Sequence, residues 1–217
     1  VGRVLAQVHL GNEGSVCAYG EAARLLEQAL QVQEVLAPDD KARRCDLLLA
    51  WGDALMPAGE SGRVFDTVTP EAFALAEAIN DRGRLSRTCV MAIDAANRYG
   101  SATMWGTPEV RRWAERADEY AEPDTTGRVW ADIFLGTVSI AEGNPIEARA
   151  FVVRALELAR RLDDPEALFA ASNALIVFAS HPRDEEERWR LVKEMEDRPH
   201  VGVNVQLLGQ WLSHSAM

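Results

Sequence analysis

The sequence predicts an all-α protein: a right-handed α-solenoid of stacked helix-turn-helix repeats, about five helix pairs long. Three observations predict it. No segment alternates apolar and polar residues with β-branched enrichment and a hairpin turn, so strand signals are missing. A helix start signal recurs as Thr69-Pro70-Glu71, Thr107-Pro108-Glu109 and Asp164-Pro165-Glu166. Each places a capping oxygen, then Pro, then an acid at the positive helix end. Finally, the chain repeats itself. Gly52 and Gly136 lie 84 residues apart, and each is followed seven residues later by another glycine, Gly59 and Gly143.

In chain order, helices are expected near 1–10, 17–36, 41–57, 62–80, 83–99, 108–121, 125–142, 145–162, 165–180, 183–197 and 201–214. Gly11-Asn12-Glu13-Gly14, Pro38-Asp39-Asp40, Gly59-Glu60-Ser61-Gly62, Gly100 and Gly143 read as the breaks. The helix from Pro145 is the clearest. Ala148, Val152, Ala155, Ala159 and Leu162 recur at steps of four and three, which is one helical face. Asn144 is expected to cap it, with Glu147 completing a capping box. Val64 to Pro70 (VFDTVTP) reads as an insertion before the next helix.

The repeat extends beyond the glycines. Leu75-Ala76-Glu77-Ala78-Ile79-Asn80-Asp81 matches Leu158-Ala159-Arg160-Arg161-Leu162-Asp163-Asp164 at an offset of 83. Gly100 falls 41 residues after Gly59 and 43 before Gly143, so the period is two units of about 42. A small residue within the first helix of a pair lets the second helix pack closely. The glycine seven residues on then stops the first helix. One such pair cannot bury its apolar face alone, so pairs stack.

On these residues Trp130 to Leu162 resembles a tetratricopeptide repeat: Leu135-Gly136, Gly143, Ala148, Val152 and Ala155 fall at the motif's spacing. Leu48, Trp51-Gly52, Leu55 and Gly59 match its first half. The unit of about 40 exceeds the usual 34. Longer units of this kind are similar to the helical C-terminal regions of bacterial LuxR-type regulators of the STAND ATPase group and of ATPase-linked class III nucleotide cyclases. The resemblance implies a non-catalytic protein-interaction or ligand-sensing module of a bacterial signalling or transcription regulator. The alternative is a free-standing peptide-binding adaptor.

Length, charge and composition set the remaining bounds. The 217 residues are expected to form one helical-repeat domain, 1–217, cut from a longer multidomain chain. Val1 follows no signal-peptide pattern, and the segment from Val201 to Met217 ends without a stop signal. A net charge of −11 repels phosphate backbones and disfavours nucleic acid as a partner. No apolar run reaches the span of a bilayer. Cys17, Cys45 and Cys89 are odd in number and widely spaced, which favours a reducing, cytoplasmic setting.

Catalytic constellations are missing from the sequence. It holds no G-x-x-x-x-G-K-S/T, no G-x-S-x-G and no C-x-x-C, and His9, His181, His200 and His214 show no i, i+4 pair. Neither an enzyme, a cofactor nor a metal is therefore expected. Cys45 and Cys89 read as small core hydrophobes. Asp184-Glu185-Glu186-Glu187 reads as an acidic helix start. Arg111, Arg112 and Arg116 are offset by Glu109, Glu115, Asp118 and Glu119, with Trp113 turned inward.

Helical repeats bind along the concave face lined by the first helix of each pair. Positions two, five, nine and twelve of each first helix are assigned to it. They are Asp46, Leu49, Asp53 and Met56; then Thr88, Met91, Ala95 and Arg98; then Trp130, Ile133, Thr137 and Ile140; then Ala170, Asn173, Val177 and Ser180. Core is an equal reading for Trp130, Ile133 and Met91. Trp105, in the loop from Gly100 to Thr107, is a further candidate anchor. The partner is expected to be a protein or peptide, or a neighbouring domain of the parent. Self-association through the exposed solenoid ends is also expected.

Overall fold

The computed structural model describes residues 2–100, 102–178 and 184–215, with side chains from Ala18 onward except at 102 and 103. Every regular element among them is helical. The helices are α1 (Gly2–Leu36), α2 (Lys41–Leu55), α3 (Ser61–Arg63), α4 (Thr69–Ala78), α5 (Arg82–Tyr99) and α6 (Pro108–Tyr120). They continue as α7 (Thr126–Ala141), α8 (Pro145–Leu162), α9 (Pro165–Phe178), α10 (Glu185–Glu196) and α11 (Val205–Ser215). A π-helical turn, Val64–Val68, joins α3 to α4, and a 3-10 turn, Ala102–Gly106, lies between α5 and α6. No helix among the described residues is long and apolar enough to cross a membrane.

The chain falls into two compact units, Val1–Arg116 and Ala117–Met217. In the first, α2 packs on α1 and α4, α4 packs on α5, and α2 also touches α5. In the second, α7 packs on α8, α8 on α9, and α7 on α9, while α10 and α11 cover α9. Within each unit, two consecutive long helices thus pack on each other and on the long helix that follows.

The repeat seen in the sequence is a repeat of backbone. Gly59 and Gly143 have φ of 88° and 82°, the left-handed conformation that stops a helix after its C-cap. The same closing bonds follow: Glu60 N–H donates to Leu55 O, and Asn144 N–H to Ser139 O. Asn80 and Asp163 end α4 and α8 at φ of 52° and 51°, a region short polar side chains tolerate. Asp81 and Asp164 then cap α5 and α9 through Arg84 N–H (2.9 Å) and Ala167 N–H (2.8 Å).

Four local expectations are corrected. The break at Gly11 to Gly14 lies inside the continuous α1, because interior glycine costs only about 1 kcal/mol against alanine and no proline interrupts the run. The VFDTVTP insertion becomes the π-helical turn, with Thr69 N–H reaching back to Val64 O. Thr69 consequently caps nothing; its hydroxyl donates to Phe65 O (3.2 Å) inside a continuous helix. Asn144 makes no side-chain cap bond, and Glu147 instead accepts from the Ser139 hydroxyl (3.2 Å).

The core follows the patterning. Ala148, Val152, Ala155 and Ala159 are fully buried, as are Cys45 and Cys89. Trp113 is buried edge-on to Phe73, with the Arg116 guanidinium over both rings. Trp105 is half-buried in its 3-10 turn.

Candidate functional site

The α2–α5 contact in the first unit carries a row of paired charges. Arg84 holds Asp46 with both arms of its fork, Nε to Oδ1 at 2.8 Å and Nη2 to Oδ2 at 2.7 Å, and also reaches Asp81. Arg87 donates to Asp53 at 2.7 Å. Further along α5, Arg98 donates to Asp94 at 3.0 Å. Asp46, Asp53 and Arg87 keep more than half of their side-chain surface. Exposed pairs of this kind are each worth only about 0–1 kcal/mol, so incoming charges can displace them at low cost.

Expected surface positions divide accordingly. Asp46 and Asp53 are exposed, and Arg98 and Met56 are half-buried. Leu49, Thr88 and Ala95 are fully buried, and Met91 nearly so, with its thioether against Gly52. These four belong to the core, because the α2–α5 crossing rotates their side of each helix inward. The charged row on α5 runs through the half-buried Arg84, the exposed Arg87 and the half-buried Asp94, one residue before the assigned Thr88 and Ala95 in the latter two cases. A signal for it was present: an arginine pair three apart and an i, i+4 Asp94–Arg98 pair.

In the second unit the assigned face is partly used by the chain itself. Ile133 and Ala170 are buried core. Trp130 is half-buried with its ring 5.8 Å from Phe134. The Thr137 hydroxyl donates to Ile133 O at 2.9 Å. The Asn173 amide oxygen meets His214 Nδ1 at 2.8 Å, so α11 occupies that position. Ile140 and Val177 remain exposed. Ser180 lies outside the described residues.

The electrostatics of the α2–α5 row run in two directions. Hydrogen bonding from Arg84 pulls the Asp46 carboxyl below its ordinary value, and the Arg84 backbone N–H does so for Asp81. Desolvation pushes Asp53 and Asp94 up against the pull of Arg87 and Arg98, and for Asp94 the nearby charge of Asp53 adds to the rise. Burial also raises the Cys45 thiol to about 11, and its Sγ–H points to Ala72 O at 3.4 Å. The thiol is protonated at neutral pH and suits packing rather than attack. Among the described residues no group of three or more His, Cys, Asp or Glu is placed to hold a metal ion.

These shifts have opposite consequences for stability. A carboxyl pushed up binds its proton more tightly when folded. Its contribution is present below the ordinary value of 3.8 and is lost as pH rises through the raised one. A carboxyl pushed down contributes above 3.8 and loses that contribution as pH falls. At neutral pH, Asp53→Asn and Asp94→Asn are expected to hold or raise Tm, and Asp46→Asn and Asp81→Asn to lower it. Each effect should stay within about 1 kcal/mol. All four should converge on the wild type below the carboxylate range in thermal melts. An Asp94→Asn protein that loses as much as Asp46→Asn at pH 7 would contradict this assignment.

No protein-family model matches the chain, and no curated protein matches it.

Proposed function

We propose that the chain is a non-catalytic interaction module, a right-handed α-solenoid of tetratricopeptide-like helix pairs. It holds a protein segment as the sensing or scaffolding arm of a bacterial, cytoplasmic signalling or transcription regulator. The observation that carries this reading is the reuse of one backbone device 83 to 84 residues apart. The helix-ending glycines Gly59 and Gly143, the left-handed Asn80 and Asp163, and the capping Asp81 and Asp164 recur in the same order in both units. Stacked pairs of this kind present extended faces for partners. The α2–α5 row supplies both signs of charge in exchangeable pairs, which suits a peptide carrying acidic and basic side chains. The placement in a regulator rests on the length of the repeat unit, and the coding sequence on either side tests it.

The binding face is tested by site-specific photo-crosslinking in cells. A benzophenone side chain at position 87 is expected to capture a protein partner, and the adduct should weaken as salt rises before irradiation. The same group at position 112, exposed on α6, should capture none. Equal capture at both positions, or at neither, would remove the α2–α5 face from the reading.

A further inference from the structure

We propose that α1 pairs with the α1 helix of a second copy of this chain. This inference does not depend on the function proposed above. The face of α1 toward α2 buries Ala23, Leu30 and Gln33. A second apolar row, Ala18, Ala22, Leu25, Ala29, Val32 and Leu36, runs beside it at steps of four and three. Its large members lie open: Leu25 is 52% exposed, Val32 55% and Leu36 78%. The 3–4 spacing averages 3.5 residues, the period of a left-handed coiled coil rather than of a straight helix. In the sequence the same spacing continues back through Ser15, Gly11, Val8 and Val4.

The row also contains a socket. A cavity of about 150 Å³ is lined by Ala29, Val32, Gln33 and Leu36, with Arg43 and Leu47 of α2 at its side. Residues at i, i+3, i+4 and i+7 are four neighbours on one helix surface, the arrangement that receives a coiled-coil knob. Gln33 donates its amide to Ala37 O at 2.6 Å and to Asp40 O, while its buried Oε1 has no hydrogen-bond partner in the chain.

Period and charge select the occupant. A row of period 3.5 is followed along its length only by a helix of the same period, and α1 carries both knobs and socket. The chain's net charge of −11 opposes self-association elsewhere. Over residues 18–36, however, the positions flanking the row hold one charge, Glu21, and Arg24 neutralises it at 2.8 Å. Residues 18–36 span about 28 Å of helix, and a seam about 10 Å wide along them covers roughly 300 Å² on each copy, the scale of a weak, concentration-dependent contact.

Sedimentation of the full chain over a concentration series tests the pairing. The wild type is expected to reach twice the monomer mass. Leu25→Glu/Val32→Glu places two charges in the seam and should raise the dissociation constant about 100-fold. Leu25→Gln/Val32→Gln should raise it less, about 10-fold, and serves if the charged variant loses helicity by circular dichroism. Ile146→Glu, at an 87% exposed position of the other unit, should leave it unchanged. A wild type that stays monomeric throughout would overturn the proposal and leave the row to a different helix. So would a dimer that survives both double substitutions.

Discussion

Gly136→Leu is expected to destabilise the second unit by about 3 kcal/mol, the upper end for overpacking a core. A Cβ at Gly136 would stand 2.8 Å from Val152 Cγ2, 3.0 Å from the Ala148 carbonyl oxygen and 3.3 Å from the Phe178 ring. The carbonyl belongs to α8 and cannot rotate away, and Val152 is itself fully buried. Even Gly136→Ala should cost about 1–2 kcal/mol, after the roughly 1 kcal/mol that alanine returns as a better helix former. Its repeat equivalent responds differently. A Cβ at Gly52 would meet the Met91 thioether at 2.5 Å, the far end of a flexible side chain. Gly52→Ala should therefore change stability by no more than about 1 kcal/mol in either direction. Urea unfolding followed separately in the two units measures both. Equal losses at Gly52 and Gly136 would show that packing distance does not set the cost.

Asp132→Ala is expected to cost about 3 kcal/mol, at the low end for breaking a buried ion pair. Asp132 is fully buried in α7. Arg154 of α8 grips it through Nε and Nη2, both at 2.6 Å, and Arg128 approaches its Oδ1 at 2.6 Å. Removing the carboxylate strands Arg128, whose side chain is only 17% exposed, with Asp118 as its remaining counter-charge. Arg154→Ala should cost less, about 1–2 kcal/mol: it removes both hydrogen bonds to Asp132, but Arg154 is half exposed, so water can replace them, and the Arg128 charge stays beside the carboxylate. Replacing the pair together, as Arg128→Met/Asp132→Leu, should recover most of the loss, because apolar side chains of similar size avoid the desolvation of both charges. Matching losses for Asp132→Ala and Arg154→Ala in denaturant melts would refute this reading.

The helices, their order and most of their ends were legible because their causes are local. Asp40, Asp81, Thr125 and Asp164 cap the helices that follow them through a backbone N–H three residues on. Gly59 and Gly143 end helices because their φ values suit few other residues. The misreadings arose where a local signal was outweighed. Thr69-Pro70-Glu71 looks like a helix start, yet the preceding turn already supplies a helical backbone. Gly11 and Gly14 look like a break, yet α1 runs through them.

The sequence by itself determined the all-helical class, the spacing of the repeat and the small residues at which helices approach. These depend on backbone conformation and on side chains a few residues apart. Only the tertiary structure decided which side of each first helix is exposed. Successive residues on a helix differ by about 100°, so a shift of one position moves a side chain from the α2–α5 seam to solvent. The crossing of the two helices selected Arg87 and Asp94 over Thr88 and Ala95. The same holds for Asp132 with Arg154 and for Asn173 with His214. In each, partners distant in the chain meet only after their helices have packed.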